Sequence, residues 1–334
     1  MINLTVSKIP DGTNYFSTLS AAIAHLPKDS TEPAVIFLKS GIYHEKIAIE
    51  RPFVSIIGEN AASTIITFND HATQKMPDGS KRGTFRSYTM FLNNHDITLS
   101  HLTIRNESSP RSLVGQAIAL YADGDRIFLE DCRLESYQDT LFTGPLPPSP
   151  LSPGGFIGPK EFDERIVGRQ YYKDCYICGD VDFIFGSATA YFDHCEIASV
   201  YSEELPWKDG AVSPVYGYVT ASSTPEGYPF GYVFHECRFT STCPDRSVYL
   251  GRPWRNFAKT VLIDCQLGSH IREEGFHDWN KKEAHHTVLY GEYHSTGEGA
   301  SPEKRAPFVR QLTDSEALGY TRESVLSGND HWNP

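Results

Sequence analysis

The feature that most constrains the fold is a short segment that recurs five times with a cysteine at its centre. Each copy is apolar three positions before the cysteine, polar immediately before it and apolar two positions after it. The copies are residues 129–134, 172–177, 192–197, 234–239 and 262–267, and an earlier copy, 99–104, has Leu102 at the cysteine position. Self-similarity on this scale is typical of a repeat architecture.

The spacing of the copies predicts the fold class. Neighbouring anchor residues are 20 to 43 positions apart, and the shortest interval is about one turn of a β-solenoid. Coils of this kind pair their strands with the coils above and below. We therefore predict an all-β, right-handed parallel β-helix. A β-sandwich is the alternative, but it should show more tight two-residue hairpins.

The pattern within a copy predicts a bend. The cysteine and the apolar residue two positions later share one face of a strand, whereas the apolar residue three positions earlier has the opposite parity. We expect a bend or bulge just before the cysteine. The five repeat cysteines should then be inward-facing thiols, and an odd total of seven excludes a complete disulfide framework.

The N-terminal region predicts a cap for the stack. Phe16, Leu19, Ile23 and Leu26 follow helical spacing, so we expect a helix within 17–26 that covers the open end. Strands are expected at 34–38 and 53–57. We predict one domain spanning 1–334, interrupted by a loop at 144–168 that is rich in proline and glycine. This loop is either a tolerated insertion or a wall of a cleft.

Charge and hydropathy exclude several classes of partner. A net charge of −12 argues against nucleic acid and anionic membrane surfaces. No apolar run approaches the ~20 residues of a membrane span. The first residues, Met1 to Leu4, lack the basic and apolar regions of a signal peptide. We therefore expect a cytoplasmic protein, or a secreted one if a signal had been removed.

Two aspartates occupy one register position of the repeat. Asp139 lies seven residues after Cys132, and Asp182 lies seven after Cys175. If the loop only protrudes, the two coils are adjacent, ~4.8 Å apart, and their carboxylates stack. One of two such crowded carboxylates tends to be protonated, giving an acid beside a base or nucleophile. Replacing either by Asn should relieve repulsion without loss of stability. The alternative is that each aspartate caps a turn.

Four other side chains could complete a site. The amides of Gln116 and Gln138 could stabilise a developing oxyanion. Arg252 could pair bidentately with a carboxylate, and Trp254 could pack on a sugar face. A metal site at His277, His285, His286 and His294 and a redox pair at Cys175 and Cys178 are weaker hypotheses, because the histidine spacing matches no known site and Cys175 belongs to the repeat.

Four motifs in order resemble those of pectinesterases (pectin methylesterases). They are Gly-Gln-Ala-Ile-Ala-Leu at 115–120, Tyr-Gln-Asp-Thr-Leu at 137–141, Asp-Phe-Ile-Phe-Gly at 182–186 and Leu-Gly-Arg-Pro-Trp at 250–254. Weaker similarity reaches both ends of the chain, and the family fold is a right-handed parallel β-helix. Asp180 departs from the family, which commonly has Gly-Thr-Val where this chain has Gly-Asp-Val; it adds a third acid near the other two.

The resemblance implies the following roles. Asp182 is the nucleophile on the C6 methyl ester of a galacturonate, and Asp139 is the general acid and then the base. Gln116 and Gln138 form the oxyanion site, and Arg252 holds Asp182. Substrate contacts are expected from Trp254, Phe185, Thr84 and Val181.

The resemblance also implies an enzyme that needs no metal or cofactor. Its expected partner is methyl-esterified pectin or an oligogalacturonide, and we expect a monomer. Two alternatives stay open at this point. One is a different β-helical pectin enzyme, a lyase or a polygalacturonase. The other is a carbohydrate-binding solenoid without catalysis, which would not need Asp139, Asp182 and Arg252 together.

Overall fold

Short parallel strands make up most of the chain in a computed structural model, which describes residues 1–9, 15–203 and 214–334. The first nine strands are β1 (Ile2–Val6), β2 (Tyr15–Phe16), β3 (Ala34–Leu38), β4 (Gly41–His44), β5 (Ile47–Ile49), β6 (Val54–Gly58), β7 (Thr64–Phe68), β8 (Met90–Leu92) and β9 (Ile97–Ser100). The next nine are β10 (Thr103–Asn106), β11 (Leu120–Ala122), β12 (Ile127–Glu130), β13 (Arg133–Glu135), β14 (Leu141–Thr143), β15 (Arg169–Lys173), β16 (Tyr176–Gly179), β17 (Val181–Gly186) and β18 (Thr189–Asp193). The last are β19 (Glu196–Ser199), β20 (Gly217–Ser222), β21 (Tyr232–His235), β22 (Arg238–Ser241), β23 (Val248–Gly251), β24 (Lys259–Ile263), β25 (Gln266–Leu267), β26 (Leu289–Tyr293) and β27 (Val309–Gln311).

The helices are short and lie mainly at the two ends of the chain. They are α1 (Leu19–His25), α2 (Arg111–Val114), α3 (Asp314–Ala317) and α4 (Arg322–Leu326). Short 3-10 helices span Thr84–Arg86, Lys282–His286, Pro302–Lys304 and Leu318–Tyr320. Within the described residues, none of these helices has the length and apolarity needed to cross a membrane.

The strands form three parallel sheets that run the length of the molecule. The first sheet has the order β2-β1-β3-β6-β9-β12-β15-β18-β21-β24-β26-β27. The second is β25-β22-β19-β16-β13-β10-β7-β4, and the third is β23-β20-β17-β14-β11-β8-β5. One coil contributes one strand to each sheet: β12, β13 and β14 form a coil, and β15, β16 and β17 form the next. The predicted parallel β-helix is confirmed, and parallel pairing between coils rules out the sandwich.

The bend before each cysteine is a left-handed backbone residue. The residue that precedes the anchor has a φ between +48° and +55° in all six copies: His101, Asp131, Asp174, His194, Glu236 and Asp264. This conformation costs about 1–2 kcal/mol for a residue with a side chain. It turns the chain sharply from the first sheet into the second. Apolar residues on both sides of the bend therefore face the interior despite their opposite parity, as the sequence predicted.

Columns of identical repeat positions fill the interior. The apolar residues three positions before the cysteines stack in register, so that Tyr172 lies over Phe192 and Phe192 over Phe234. Their ring centroids are 4.7 and 4.5 Å apart and the rings are nearly parallel. Each fully buried apolar side chain contributes roughly 1.5–3 kcal/mol. The column thus stabilises the coils that carry both aspartates.

The N-terminal helix α1 forms where the sequence predicted it. The hydroxyl of Thr18 accepts a hydrogen bond from the Ala21 N–H at 3.2 Å and caps the first turn. Leu19 and Ala22 are fully buried in the main core. The helix thereby covers apolar side chains at the N-terminal end of the stack.

The segment 144–168 is a loop between β14 and β15. It contains no helix or strand, and the structure describes all of it. Its buried side chains include Leu146, which is 1% exposed, and Phe156, which is 4% exposed. Both pack in an aromatic cluster on the outer face of the third sheet. The loop is therefore anchored beside that face.

Thiol titration of the native protein should separate Cys243 from the repeat cysteines. All seven cysteines are free, but Cys243 is the partly exposed one, and the five anchors are at most 1% exposed: Cys132, Cys175, Cys195, Cys237 and Cys265. Burial of the thiol blocks access of the reagent. We expect slow labelling of the anchors until denaturant is added. Replacing Cys243 by Ser should remove the fast phase; rapid native labelling of all five anchors would contradict the packing.

Candidate active site

The two aspartates lie opposite each other in adjacent coils. In the pairing of β14 with β17, Leu141 lies opposite Ile184 and Phe142 opposite Phe185. Asp139 lies two residues before Leu141, and Asp182 lies two residues before Ile184, so the same register places the two aspartates opposite each other. The backbone N–H of Asp139 donates to the carbonyl of Val181 at 3.1 Å. The matched register of the sequence therefore becomes a spatial pair.

A β-bulge aims Asp182 into the cleft. Its φ is +51°, and the register between β17 and β20 shifts between Val181 and Ile184. Phe183 and Ile184 consequently both face the main core, while Phe185 faces the outer aromatic cluster. Regular alternation would place Asp182 and Phe185 on opposite faces. The bulge brings them to the same face, a common use of bulges near active sites.

Arg252 holds Asp182 by a bidentate ion pair. Its Nε donates to Oδ1 and its Nη2 to Oδ2, each at 2.8 Å. The guanidinium lies between two aromatic rings, with its carbon 3.8 Å from the centroid of Tyr218 and 3.8 Å from that of Trp279. Both partners of the ion pair are largely buried. Asp182 is thus a fixed carboxylate whose charge is balanced by a fixed cation.

Asp139 has the opposite electrostatic environment. It is 7% exposed, and burial raises its pKa well above the usual range of a carboxyl. The negative charge of Asp182 raises the pKa further, whereas Arg111 and Arg252 act in the opposite direction. The protonated form of Asp139 is therefore favoured. A neutral carboxyl beside an ion-paired carboxylate is the arrangement that acid and nucleophile require.

Both glutamines lie beside the aspartates. Gln116 and Gln138 form a parallel bridge between adjacent coils, and both line the cleft. The Oε1 of Gln138 accepts a hydrogen bond from Nη2 of Arg111 at 2.9 Å. This bond directs the carbonyl side of the Gln138 amide toward Arg111.

The cleft has a volume of about 340 Å³ and an aromatic floor. Phe185 and Trp254 lie with ring centroids 5.8 Å apart, and Phe156 from the loop meets Trp254 edge-on at 6.2 Å. The lining residues are Thr84, Phe85, Gln116, Gln138, Asp139, Gly155, Asp182, Phe185, Ala221, Arg252, Trp254 and Trp279. Eight of the nine residues that the sequence singled out for the site therefore meet in this cleft.

Val181 is the ninth, and its predicted contact with substrate does not fit its position. It is fully buried and packs with Val215, Tyr218 and Tyr249 in a separate cluster. Its strand register places it beside Tyr218 and Tyr249 on the outer face of the third sheet, where this cluster covers its side chain.

Several residues of the site were missed by the sequence reasoning. Phe85, Trp279, Tyr218 and Arg111 come from segments far from the two aspartates along the chain. Phe85 alone had a signal, since it directly follows Thr84, which was expected to contact substrate. The third acid, Asp180, is fully buried and pairs with Arg111 at 2.6 Å.

A group that could hold a metal lies outside the cleft lining. Asp193, His194 and His235 place their ligand atoms within 4.8 Å of one another. The ring Nδ1 atoms of both histidines are within hydrogen-bond distance of one carboxylate oxygen of Asp193, at 2.8 and 2.9 Å. These hydrogen bonds explain why the three side chains lie close together on the outside of the stack.

Comparisons with known proteins agree on one family. The sequence pattern of the pectinesterase family matches residues 3–145 and 165–329, leaving out most of the loop. Pectinesterase 31 of Arabidopsis thaliana is 30% identical over 323 residues, which cover 95% of this chain and 90% of that protein. The chain spans about half the length of several other plant pectinesterases.

Solved structures show the same fold. The pectin methylesterase from Erwinia chrysanthemi is 30% identical, with a TM-score of 0.80 over 100% of this chain and 98% of that one. A pectin methylesterase in complex with a hexasaccharide is 31% identical, with a TM-score of 0.79 over the same shares.

The prediction of a cytoplasmic location is wrong. The plant pectinesterases to which this chain is similar are secreted enzymes of the cell wall.

Proposed function

The chain belongs to the pectinesterase family, and from this premise we propose that the cleft between Asp139 and Asp182 hydrolyses C6 methyl esters of galacturonate in pectin or its oligomers. The observation that carries the proposal is the pairing of an ion-paired Asp182 with an Asp139 whose pKa is raised. The pectin methylesterase that binds a hexasaccharide supports an oligosaccharide as the ligand of this cleft.

The first half-reaction uses both aspartates. A carboxylate oxygen of Asp182 attacks the carbonyl carbon of the ester, and the carbonyl oxygen becomes an oxyanion near the amides of Gln116 and Gln138. The oxyanion collapses, the bond to the methoxy group breaks, and Asp139 gives its proton to the departing methanol. The products are methanol and an anhydride between Asp182 and the galacturonate.

The second half-reaction restores the enzyme. Asp139, now ionised, takes a proton from a water molecule, and the hydroxide attacks the galacturonate carbon of the anhydride. The Asp182 carboxylate departs, and Arg252 pairs with the charge that returns to it. The galacturonate leaves as a free carboxyl group. Asp139 alone gives and takes the protons of both half-reactions, so no residue outside the cleft has to transfer one.

Single-domain organisation and a monomeric state are part of the proposal. One continuous core cluster extends from Leu4 to Tyr290, so the coils support each other as one unit. The cleft lining includes both aspartates, both glutamines and Arg252, so one chain suffices for the proposed chemistry.

Methanol release tests the activity. Highly methylated pectin should yield methanol and carboxylate in equal amounts, with no new reducing ends and no unsaturated product. Chain cleavage would instead indicate a polygalacturonase or a lyase. Binding of pectin with neither methanol nor cleavage would indicate a carbohydrate-binding solenoid.

Phe156→Ala should change the preference for substrate length. Phe156 is buried, and its ring packs against Phe85 and Trp254, two residues that line the cleft, so it supports that wall from behind. Its loss should alter the ratio of kcat/KM between long and short methylated oligomers several-fold, with a stability cost of about 3 kcal/mol for a buried aromatic ring. Rates on a series of oligomers, together with thermal melts, measure both effects.

Phe162→Ala is the matched control in the same loop. Phe162 is 92% exposed, so this variant should keep both the stability and the length preference of the wild type. An unchanged preference in Phe156→Ala would show that the loop does not shape the substrate site.

A further inference from the structure

A buried ion pair beside the cleft has no part in the reaction as described above. Asp180 is fully buried and Arg111 is 7% exposed. Nε of Arg111 donates to Oδ2 of Asp180 at 2.6 Å, and the Val181 N–H donates to Oδ1 at 2.6 Å. Both carboxylate oxygens are therefore satisfied. A buried ion pair adds little net stability, so stability alone does not account for this pair.

The pair is connected to the cleft through Gln138. Nη2 of Arg111 lies 2.9 Å from Oε1 of Gln138. A guanidinium has only donors, so the atom of the amide that faces it must be the carbonyl oxygen. The two ends of a glutamine amide are nearly identical in shape, and the hydrogen-bond partner decides between them. Arg111 therefore turns the NH₂ group of Gln138 away from itself.

We propose that Arg111 and Asp180 are positioning residues that hold the Gln138 amide with its NH₂ group toward the oxyanion of the reaction. This inference rests on the proposed function. Asp180 fixes Arg111 through one carboxylate oxygen, while the adjacent backbone N–H fixes Asp180 through the other. The donor that meets the developing charge is thus held by a chain of three hydrogen bonds.

Asp180 has a second effect, which is to balance the charge of Arg111. Arg111 lowers the pKa of Asp139, whereas Asp180 raises it. An unbalanced arginine at this place would favour loss of the proton that Asp139 must give to methanol. The pair therefore supplies a rigid donor to Gln138 at little electrostatic cost to the general acid.

A double variant, Arg111→Met with Asp180→Thr, removes the pair without leaving one buried charge unpaired. With Gln138 free to turn, kcat on methylated pectin should fall about 10-fold or more, because the oxyanion loses an aligned donor. KM should change far less than kcat. Gln138→Ala, which removes the donor itself, should lower kcat by about 10²-fold.

The Gln138→Ala background separates positioning from a general structural role. The double variant should cause no further fall in kcat there, because the group on which the pair acts is gone. An equal fall in both backgrounds would overturn the inference. An unchanged kcat in the double variant, or in Gln138→Ala, would also overturn the inference. If the wild type releases methanol in these experiments, the proposed function stands even then.

The orientation of Gln138 can also be measured without catalysis. In protein labelled with ¹⁵N at glutamine, the side-chain resonances of Gln138 are identified by their loss in Gln138→Ala. They should move in the double variant, whose backbone spectrum should otherwise match the wild type. Unchanged side-chain resonances of Gln138 would overturn the inference, whether or not the protein releases methanol. A wild-type protein that releases no methanol would refute the proposed function, which is a separate result.

Discussion

Asp182→Asn is expected to lower kcat for methanol release by at least ~10⁴-fold, because an amide cannot serve as the nucleophile. Asn has nearly the same shape and keeps one oxygen to accept from Arg252, so the cleft should retain its form. The measurement is methanol release from highly methylated pectin, beside a thermal melt. Residual activity within ~10-fold of the wild type would show that another group attacks the ester.

The same variant should lose stability, contrary to the prediction made from the sequence. Asp182 and Arg252 form a buried bidentate pair, and removal of one charge leaves the other without compensation. Relief of repulsion with Asp139 is the smaller effect, since Asp139 is favoured in its neutral form. Asp174→Asn is a matched control, because Asp174 also has a left-handed backbone but an exposed side chain.

Asp139→Asn is expected to lower kcat by about 10²–10⁴-fold, the usual contribution of a general acid–base group. Asn cannot give methanol a proton, nor can it take one from water. In contrast to Asp182→Asn, this variant should keep or gain stability, because it replaces by a neutral group a buried carboxyl that forms no ion pair with any residue the structure describes. A collapsed thermal melt would contradict this view of Asp139.

The pH dependence of stability gives an independent check on Asp139. Its pKa in the folded protein is raised, so the native state holds a proton that the unfolded chain loses near pH 4. This contribution to the free energy of unfolding is fully present below that pH and is lost as the pH rises through the folded pKa. Asp139→Asn should flatten this part of the curve. An identical pH dependence in wild type and variant would show that the carboxyl is not protonated.

Much of the fold could be predicted from the sequence because the coils repeat. The five cysteines and the apolar residues around them mark one position in each coil, so the stack, its bends and the adjacency of the aspartates follow from counting residues. The loop at 144–168 could be predicted from its prolines. The stack, its bends and the loop are all features that the local spacing of residues in the sequence determines.

The remaining features of the site depend on where side chains point and on which distant residues meet in the fold, and residue spacing does not encode either. Val181 is next to the nucleophile in sequence, yet its side chain is covered by Tyr218 and Tyr249 and does not line the cleft. Trp279 reaches Arg252 only through the fold, and no motif surrounds it. Asp180 could be noticed as an additional acid, but its partner Arg111 lies 69 residues away.

The double-mutant cycle of Asp139→Asn and Asp182→Asn tests the central claim most directly. If the two aspartates act as one unit, kcat for methanol release in the double variant should be close to that of the more damaged single variant. The combined loss, expressed as free energy, would then be far smaller than the sum of the two separate losses. A double variant whose loss equals that sum would show independent action and contradict the shared acid–nucleophile mechanism.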